Sequence, residues 1–219
     1  MLSKWKFAIL VSILPLAAWA GTKEAARTAR DPEPGVPHLV VLPPQRVLTY
    51  AAKGDPNEAA GKAYKELYRV FFAKAGKNAK RKAGPPIARW PADQVEGPKS
   101  AWQGIYALPV PDTFPDPADS AIKLETWEYG MTAQILHAGS YASEAADIAA
   151  LKEYIVRSGL AIRGDHEEVY LKGPGMVFKG NPRNYRTLIR YAVERIAEPP
   201  APVAGGPEAA GKPADGSRQ

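Results

Sequence analysis

His166-Glu167-Glu168-Val169-Tyr170-Leu171 holds the side chains best suited to chemistry. Polar and apolar residues alternate, with β-branched and aromatic types among them, and the pattern predicts a β-strand. A two-residue period puts Glu168 and Tyr170 on one face and Val169 and Leu171 on the other. Glu167 leaves opposite Glu168, and we expect it to face solvent. A carboxylate beside a phenol on a sheet face can recognise a cation or position a water. Burial raises the pKa of such a carboxyl, and a bound cation lowers it again. With water in reach, Glu168 could also act as a general acid or base. The same pattern suits a solvated strand face.

Aromatic residues would supply the walls of a cation site. Trp90, Trp102, Tyr106, Trp127 and Tyr170 are the candidates, each able to contribute about 0.5–2 kcal/mol of cation–π attraction. Ordinary core packing explains each of them equally well. The three histidines, His38, His137 and His166, are far apart and lack metal-ligand spacing; we expect no metal, and we assign His137 a structural hydrogen bond. The chain has no cysteine, which excludes disulfides, thiolate zinc sites and cysteine nucleophiles. It also lacks Gly-x-Ser-x-Gly and a Gly-rich phosphate loop, so no cofactor is expected.

Positioning these residues falls to a chain of 219 residues, 45% of them hydrophobic, enough for one sizeable core. The net charge of +6 is spread along the sequence. No basic patch is interleaved with aromatics, so no nucleic-acid partner is expected. Lys4, Lys6, the apolar run Phe7 to Ala18 and Ala18-Trp19-Ala20 have the form of a secretory signal peptide over residues 1–20. The expectation is an exported protein, periplasmic or secreted, with no stable membrane insertion after cleavage; an uncleaved N-terminal anchor is the alternative. Residues 21–37 read as a flexible leader and 196–219 as a disordered tail rich in Pro, Ala and Gly.

Between these ends lies the ordered part. His38 to Ala52 reads as a strand broken at Pro43-Pro44, and Asn57 to Ala75 as a helix with a buried stripe. Lys77 to Lys82 reads as a solvated basic loop. Ile87 to Trp90 and Ala101 to Val110 follow as strands. Ala121 to Ala138 reads as one long strand and Ala145 to Ser158 as a helix. The segment around Glu168 and Tyr185 to Val193 are the last strands. Each half is thus strand, helix, strand, strand, an internal repeat in which Trp90 corresponds to Tyr170 and Ala88 to Glu168.

Several ordered motifs resemble a known family. Gly130-Met131-Thr132-Ala133-Gln134-Ile135-Leu136-His137-Ala138-Gly139-Ser140-Tyr141 is similar to Gly-x-x-Ala-Gln-x-x-His-x-Gly-Pro-Tyr. His166 to Leu171 is similar to His-His-Glu-Ile-Tyr-Leu, and Tyr185 to Tyr191 to a closing Lys-Thr-x-x-Arg-Tyr strand. Gly54-Asp55-Pro56 and Gly84-Pro85-Pro86 match the first half more loosely. These are motifs of the GyrI-like small-molecule-binding domains, whose fold also forms the drug-binding part of several bacterial multidrug-sensing regulators. Two stretches depart from the pattern: Ser140 stands for the family Pro, and Lys172-Gly173-Pro174 for Ser-Asp-Pro.

The resemblance implies an α+β fold over residues 38–195, in which duplicated βαββ units form one antiparallel sheet with two helices packed on it. It implies a ligand cavity near the pseudo-twofold axis, amphipathic and often cationic ligands, and a buried counter-charge at Glu168 beside Tyr170. Some stand-alone members hydrolyse cyclopropane-containing compounds, so a hydrolase using Glu168 is one alternative. A module that has lost its ligand is another.

Overall fold

The computed structural model describes residues 32–75, 83–91, 98–174 and 180–196. The residues read from sequence as a signal peptide, most of those read as a leader, the basic loop at 77–82 and the tail beyond 196 lie outside the described residues. In chain order the elements are β1 (His38–Leu42), β2 (Gln45–Lys53), α1 (Pro56–Ala75), β3 (Ile87–Trp90), β4 (Gln103–Pro109), β5 (Lys123–Trp127), β6 (Gly130–Ala138), α2 (Ala145–Arg157), β7 (Leu160–Ile162), β8 (His166–Lys172) and β9 (Arg186–Arg195).

All strand pairings are antiparallel, in the order β1-β6-β9-β8-β3-β4-β2-β5, with β7 added on β9. The halves β2-α1-β3-β4 and β6-α2-β8-β9 occupy mirrored places about the β3–β8 junction. The remaining strands are exchanged: β1 pads β6, and β5 pads β2. Pro43 and Pro44 alone join β1 to β2. Three Cα steps span at most about 11 Å, whereas six strand spacings in a flat sheet span about 29 Å. The sheet is therefore curled, bringing its ends together.

Curling gives the two faces different fates. Outside, α1 buries Ala63, Leu67, Val70 and Phe71 against the first half, and α2 buries Leu151 and Ile155 against the second. Inside, Val47, Ile87, Ala107, Leu136, Val169 and Leu188, from six different strands, form one cluster.

Two expectations are corrected. Ala121 to Ala138 is two strands, not one. The chain turns at Glu128-Tyr129 and at Gly130, whose φ of 69° suits glycine, so that β5 pairs with β2 while β6 pairs with β1 and β9. Glu167 does not face solvent. It is 3% exposed, because the face opposite the helices is the inside of the curl.

Candidate functional site

Register places Glu168 at the centre of symmetry. On β8 it stands directly opposite Ala88 of β3, and Trp90 stands opposite His166. The row continues from Ala88 to Tyr106 on β4, and from Glu168 to Ile189 on β9. The pair corresponding in the repeat is thus the pair that meets across the pseudo-twofold, and Ala88 leaves space where a second carboxylate would repel the first.

Glu168 is bound at both oxygens. Tyr170 Oη donates to Oε2 at 2.8 Å, and His166 Nε2 lies 3.0 Å from Oε1. Since a carboxylate only accepts, Nε2 carries the ring proton; in the neutral ring, Nδ1 then accepts from the Tyr191 hydroxyl, 2.8 Å away. The Glu168 side chain keeps 12% of its surface exposed. Among the described residues no Arg or Lys forms an ion pair with it.

Aromatic rings surround this carboxylate from both halves. Tyr64 of α1 meets Tyr106 edge-on at 5.5 Å and Tyr170 at 6.2 Å. Tyr170 meets Tyr141 at 5.7 Å, and Tyr141 meets Tyr185 at 5.4 Å. Trp90 packs on Trp102, Tyr106 and His166 at 5.6, 6.4 and 6.0 Å. Tyr64 is fixed by donating to the Ile87 carbonyl at 3.0 Å. Burial, reinforced by the Glu168 charge, holds the Tyr64, Tyr141 and Tyr170 hydroxyls above their ordinary pKa, and burial pushes Tyr106 up to about 12. The ring wall is thus a set of neutral phenols.

A second carboxyl joins them. Glu144 precedes α2 at its cap position, yet makes no capping bond. It is 6% exposed, and burial, with the Glu168 charge next, pushes its pKa up to about 9. The Thr187 hydroxyl lies beside it, outside hydrogen-bonding geometry, and partly offsets that rise. Glu144 Oε1, Thr187 Oγ1, Trp90 Nε1 and Arg46 Nε are buried with no protein partner among the described residues. The first three border the Glu168 cluster; Arg46 sits in β2, three strands from β8. An unpaired buried polar group costs about 1–3 kcal/mol unless something outside the protein satisfies it.

The departure at residue 173 has a steric reason. A Cβ on Gly173 would lie 2.9 Å from the Tyr141 hydroxyl, so glycine here lets Tyr141 lean over the site.

Of the residues singled out from sequence, Glu168, Tyr170, Trp90, Trp102 and Tyr106 come together on the helix-bearing face. Trp127 does not. It belongs to the inner cluster, donates from Nε1 to Glu125 at 3.1 Å and carries the Arg89 guanidinium 3.5 Å over its ring. Sequence reasoning missed Tyr64, Tyr141, Glu144, Tyr185 and Thr187 as site residues. Tyr141 and Tyr185 were signalled by the motifs that contain them, whereas Glu144 looks like any carboxylate at a helix start. His137 bonds Asp147 of α2 at 2.7 Å and the Ser140 carbonyl at 3.0 Å, tying the Gly139–Tyr141 turn to that helix.

Two surface clefts lie elsewhere. One of about 470 Å³ is lined by Ala138, Gly139, Ser140, Ser143, Asn181, Pro182 and Arg183. It contains no carboxylate or ring, so its size does not outweigh the chemistry around Glu168. The other, about 220 Å³, lies on the inner face beside Arg89, Arg163, Glu167 and Arg190. Among the described residues no group of three or more His, Asp or Glu could hold a metal ion.

No curated protein matches the sequence. A crystal structure called a hydrolase from Listeria innocua is similar at a TM-score of 0.63 and 23% identity, covering 78% of this chain and 98% of that one. The EcmrR C-terminal domain is similar at 0.56 and 14%, covering 74% and 98%. SAV2435 bound to tetraphenylphosphonium gives 0.46 and 15%, covering 73% and 94%. The pattern of the GyrI-like small molecule binding domain matches residues 36–193. With that match, the motifs around Gly130, His166 and Tyr185 and the duplicated βαββ sheet, the chain belongs to the GyrI-like small-molecule-binding domain family.

Proposed function

We propose that this protein binds an amphipathic cationic small molecule between its two halves, with Glu168 as counter-charge and Tyr64, Tyr106, Tyr141, Tyr170 and Trp90 as walls. One observation carries the reading. Glu168 is nearly buried at the pseudo-twofold axis, and its partners are a histidine and a phenol rather than a guanidinium or ammonium. A carboxylate desolvated without a cation is costly, and a cationic ligand offsets that cost while gaining about 0.5–2 kcal/mol per ring it faces. Titration with a cationic fluorescent dye and a neutral analogue of the same shape tests it. Wild type should favour the cation and Glu168→Gln should not; equal affinity of wild type for both dyes would defeat the reading.

A second reading is hydrolysis, which the name of the Listeria innocua neighbour invites, here of a small reactive compound of the cyclopropane type. The observation favouring it is the pairing of Glu144, held neutral at pH 7 by burial, with Glu168. Two carboxyls in environments that separate their roles are the pattern of an acid and a base. Glu144 would protonate the carbon leaving the opened ring bond while Glu168 takes a proton from the attacking water. The product would be the substrate plus one water, and mass spectrometry after incubation with a cyclopropane-bearing electrophile would detect it; unchanged substrate would defeat this reading.

Export completes the proposal. It rests on Lys4, Lys6, the apolar run and Ala18-Trp19-Ala20. N-terminal sequencing of protein from its host should begin at Gly21, and a cytoplasmic chain retaining Met1 would overturn it.

A further inference from the structure

Resting on the binding reading above, we infer that Glu144 and Thr187 form a second contact point in the Glu168 pocket. This pair beside Glu168 selects ligands whose positive nitrogen carries a hydrogen, protonated amines or amidines, over onium ions that have none.

The two carboxyls divide the labour. Glu168 has a hydrogen bond at each oxygen, from Tyr170 and His166. It supplies negative charge at the axis, but its best directions are already used. Glu144 is the converse. It is 6% exposed and its Oε1 has no protein donor. Thr187, fully buried, has an unpartnered hydroxyl beside it. The strands set where Thr187 stands: it is opposite Tyr170 on one side and His137 on the other, on the face that carries Glu168. The Tyr141 and Tyr185 rings flank the same corner. A buried carboxyl oxygen and a buried hydroxyl, side by side beneath aromatic rings and neither in a hydrogen bond among the described residues, fit a ligand that brings an N–H. A quaternary ammonium or tetraaryl phosphonium would satisfy the charge of Glu168 and leave both oxygens unpaired.

The position of Glu144 argues against a merely local role. A carboxylate at the start of a helix normally caps the free backbone N–H groups. Here the side chain makes no cap bond and is buried instead. A ligand N–H would also favour the ionised carboxylate, so the two effects reinforce one another on binding.

The test uses the full chain at pH 7 and isothermal titration with two probes below their micelle concentrations. One is N,N-dimethyldodecylamine, protonated at this pH; the other is dodecyltrimethylammonium, which differs by one methyl in place of the N–H. Wild type should bind the protonated amine about tenfold more tightly, the worth of one charge-assisted hydrogen bond. Thr187→Val and Glu144→Met should reduce that preference to about threefold or less, leaving the quaternary probe's affinity nearly unchanged. Both replacements remove an unpaired buried polar group, so neither should cost stability. Equal binding of the two probes by wild type, with both weakened by Glu168→Gln, would overturn this inference and leave the binding reading intact. A preference that survives both replacements would also overturn it. Failure of wild type to bind either probe would sink the inference and the binding reading together.

Discussion

Glu167 receives Arg89 Nε at 2.7 Å, Arg190 Nη1 at 3.5 Å and the Tyr129 hydroxyl at 3.0 Å. Glu168, one residue further along β8, receives a histidine and a phenol. The two carboxylates share a backbone and a chemistry and differ only in the face of the sheet they enter. The inner face is walled by the curl, and the charges around Glu167 are paired within the protein: Arg89 also stacks on Trp127, and Arg190 also donates to Gln134 at 2.8 Å. Among the described residues, the outer face between the two helices keeps a carboxylate without a cation and three buried polar atoms without partners. A buried ion network saturated from within contributes to specifying the fold, whereas one left open is available to a ligand.

The largest test of this contrast is Glu167→Gln. Removing one partner of a buried ion network leaves Arg89 and Arg190 uncompensated, at about 3–5 kcal/mol. Arg89 keeps 20% of its side chain exposed, which puts the expected loss at the lower end. Urea denaturation should show it, and Glu168→Gln should unfold at nearly the wild-type midpoint. Equal destabilisation by the two would erase the distinction between the faces.

Binding should invert the order. Glu168→Gln should weaken a cationic dye by about 1.5–3 kcal/mol, the range for a hydrogen-bonded charge, with a neutral dye little affected. Circular dichroism of the same samples separates lost binding from lost folding. Loss of both dyes to the same degree would show that Glu168 shapes the pocket rather than charging it.

Glu144 sharpens the comparison through pH. Its folded pKa, up to about 9, stands above the unfolded value, so the folded state holds this proton more tightly. The penalty for burying it is therefore absent below pH 4.5 and grows as pH rises from there toward 9. Glu144→Gln should be more stable than wild type at pH 8, by about 1–3 kcal/mol, and should converge with it near pH 4. A parallel pair of pH–stability curves would contradict the burial of this carboxyl.

The smallest effects belong to the phenols. Tyr129→Phe removes one donor from Glu167 and should cost about 1 kcal/mol of stability. Tyr170→Phe removes one from Glu168 and should cost less, because that carboxylate keeps contact with water, but it should alter dye affinity where Tyr129→Phe does not.

Much of the architecture was legible in local pattern. The helix stripe of Ala63, Leu67 and Phe71, the alternation in His166 to Leu171 and the repeat pairing Ala88 with Glu168 all follow from periodicities that the backbone imposes on any sequence. The break in Ala121 to Ala138 was harder to read. Glu128 and Tyr129 do not forbid a strand, and only pairing with β2 on one side and with β1 and β9 on the other separates the segment.

Which residues share a face of β8 follows from local order alone, because side-chain direction alternates regardless of context. The family follows in the same way, from short motifs whose order and spacing survive without the fold. Which face is which was settled by the packing of distant segments. Curling turned the side read as solvent into a buried ionic interior for Glu167, and took Trp127 away from Glu168. Only docking of α1 and of the turn before α2 brought Tyr64, Tyr141 and Glu144 to the axis. These are contacts between segments distant in the chain, and burial, unlike side-chain alternation, is set by what packs against a residue rather than by the residues beside it.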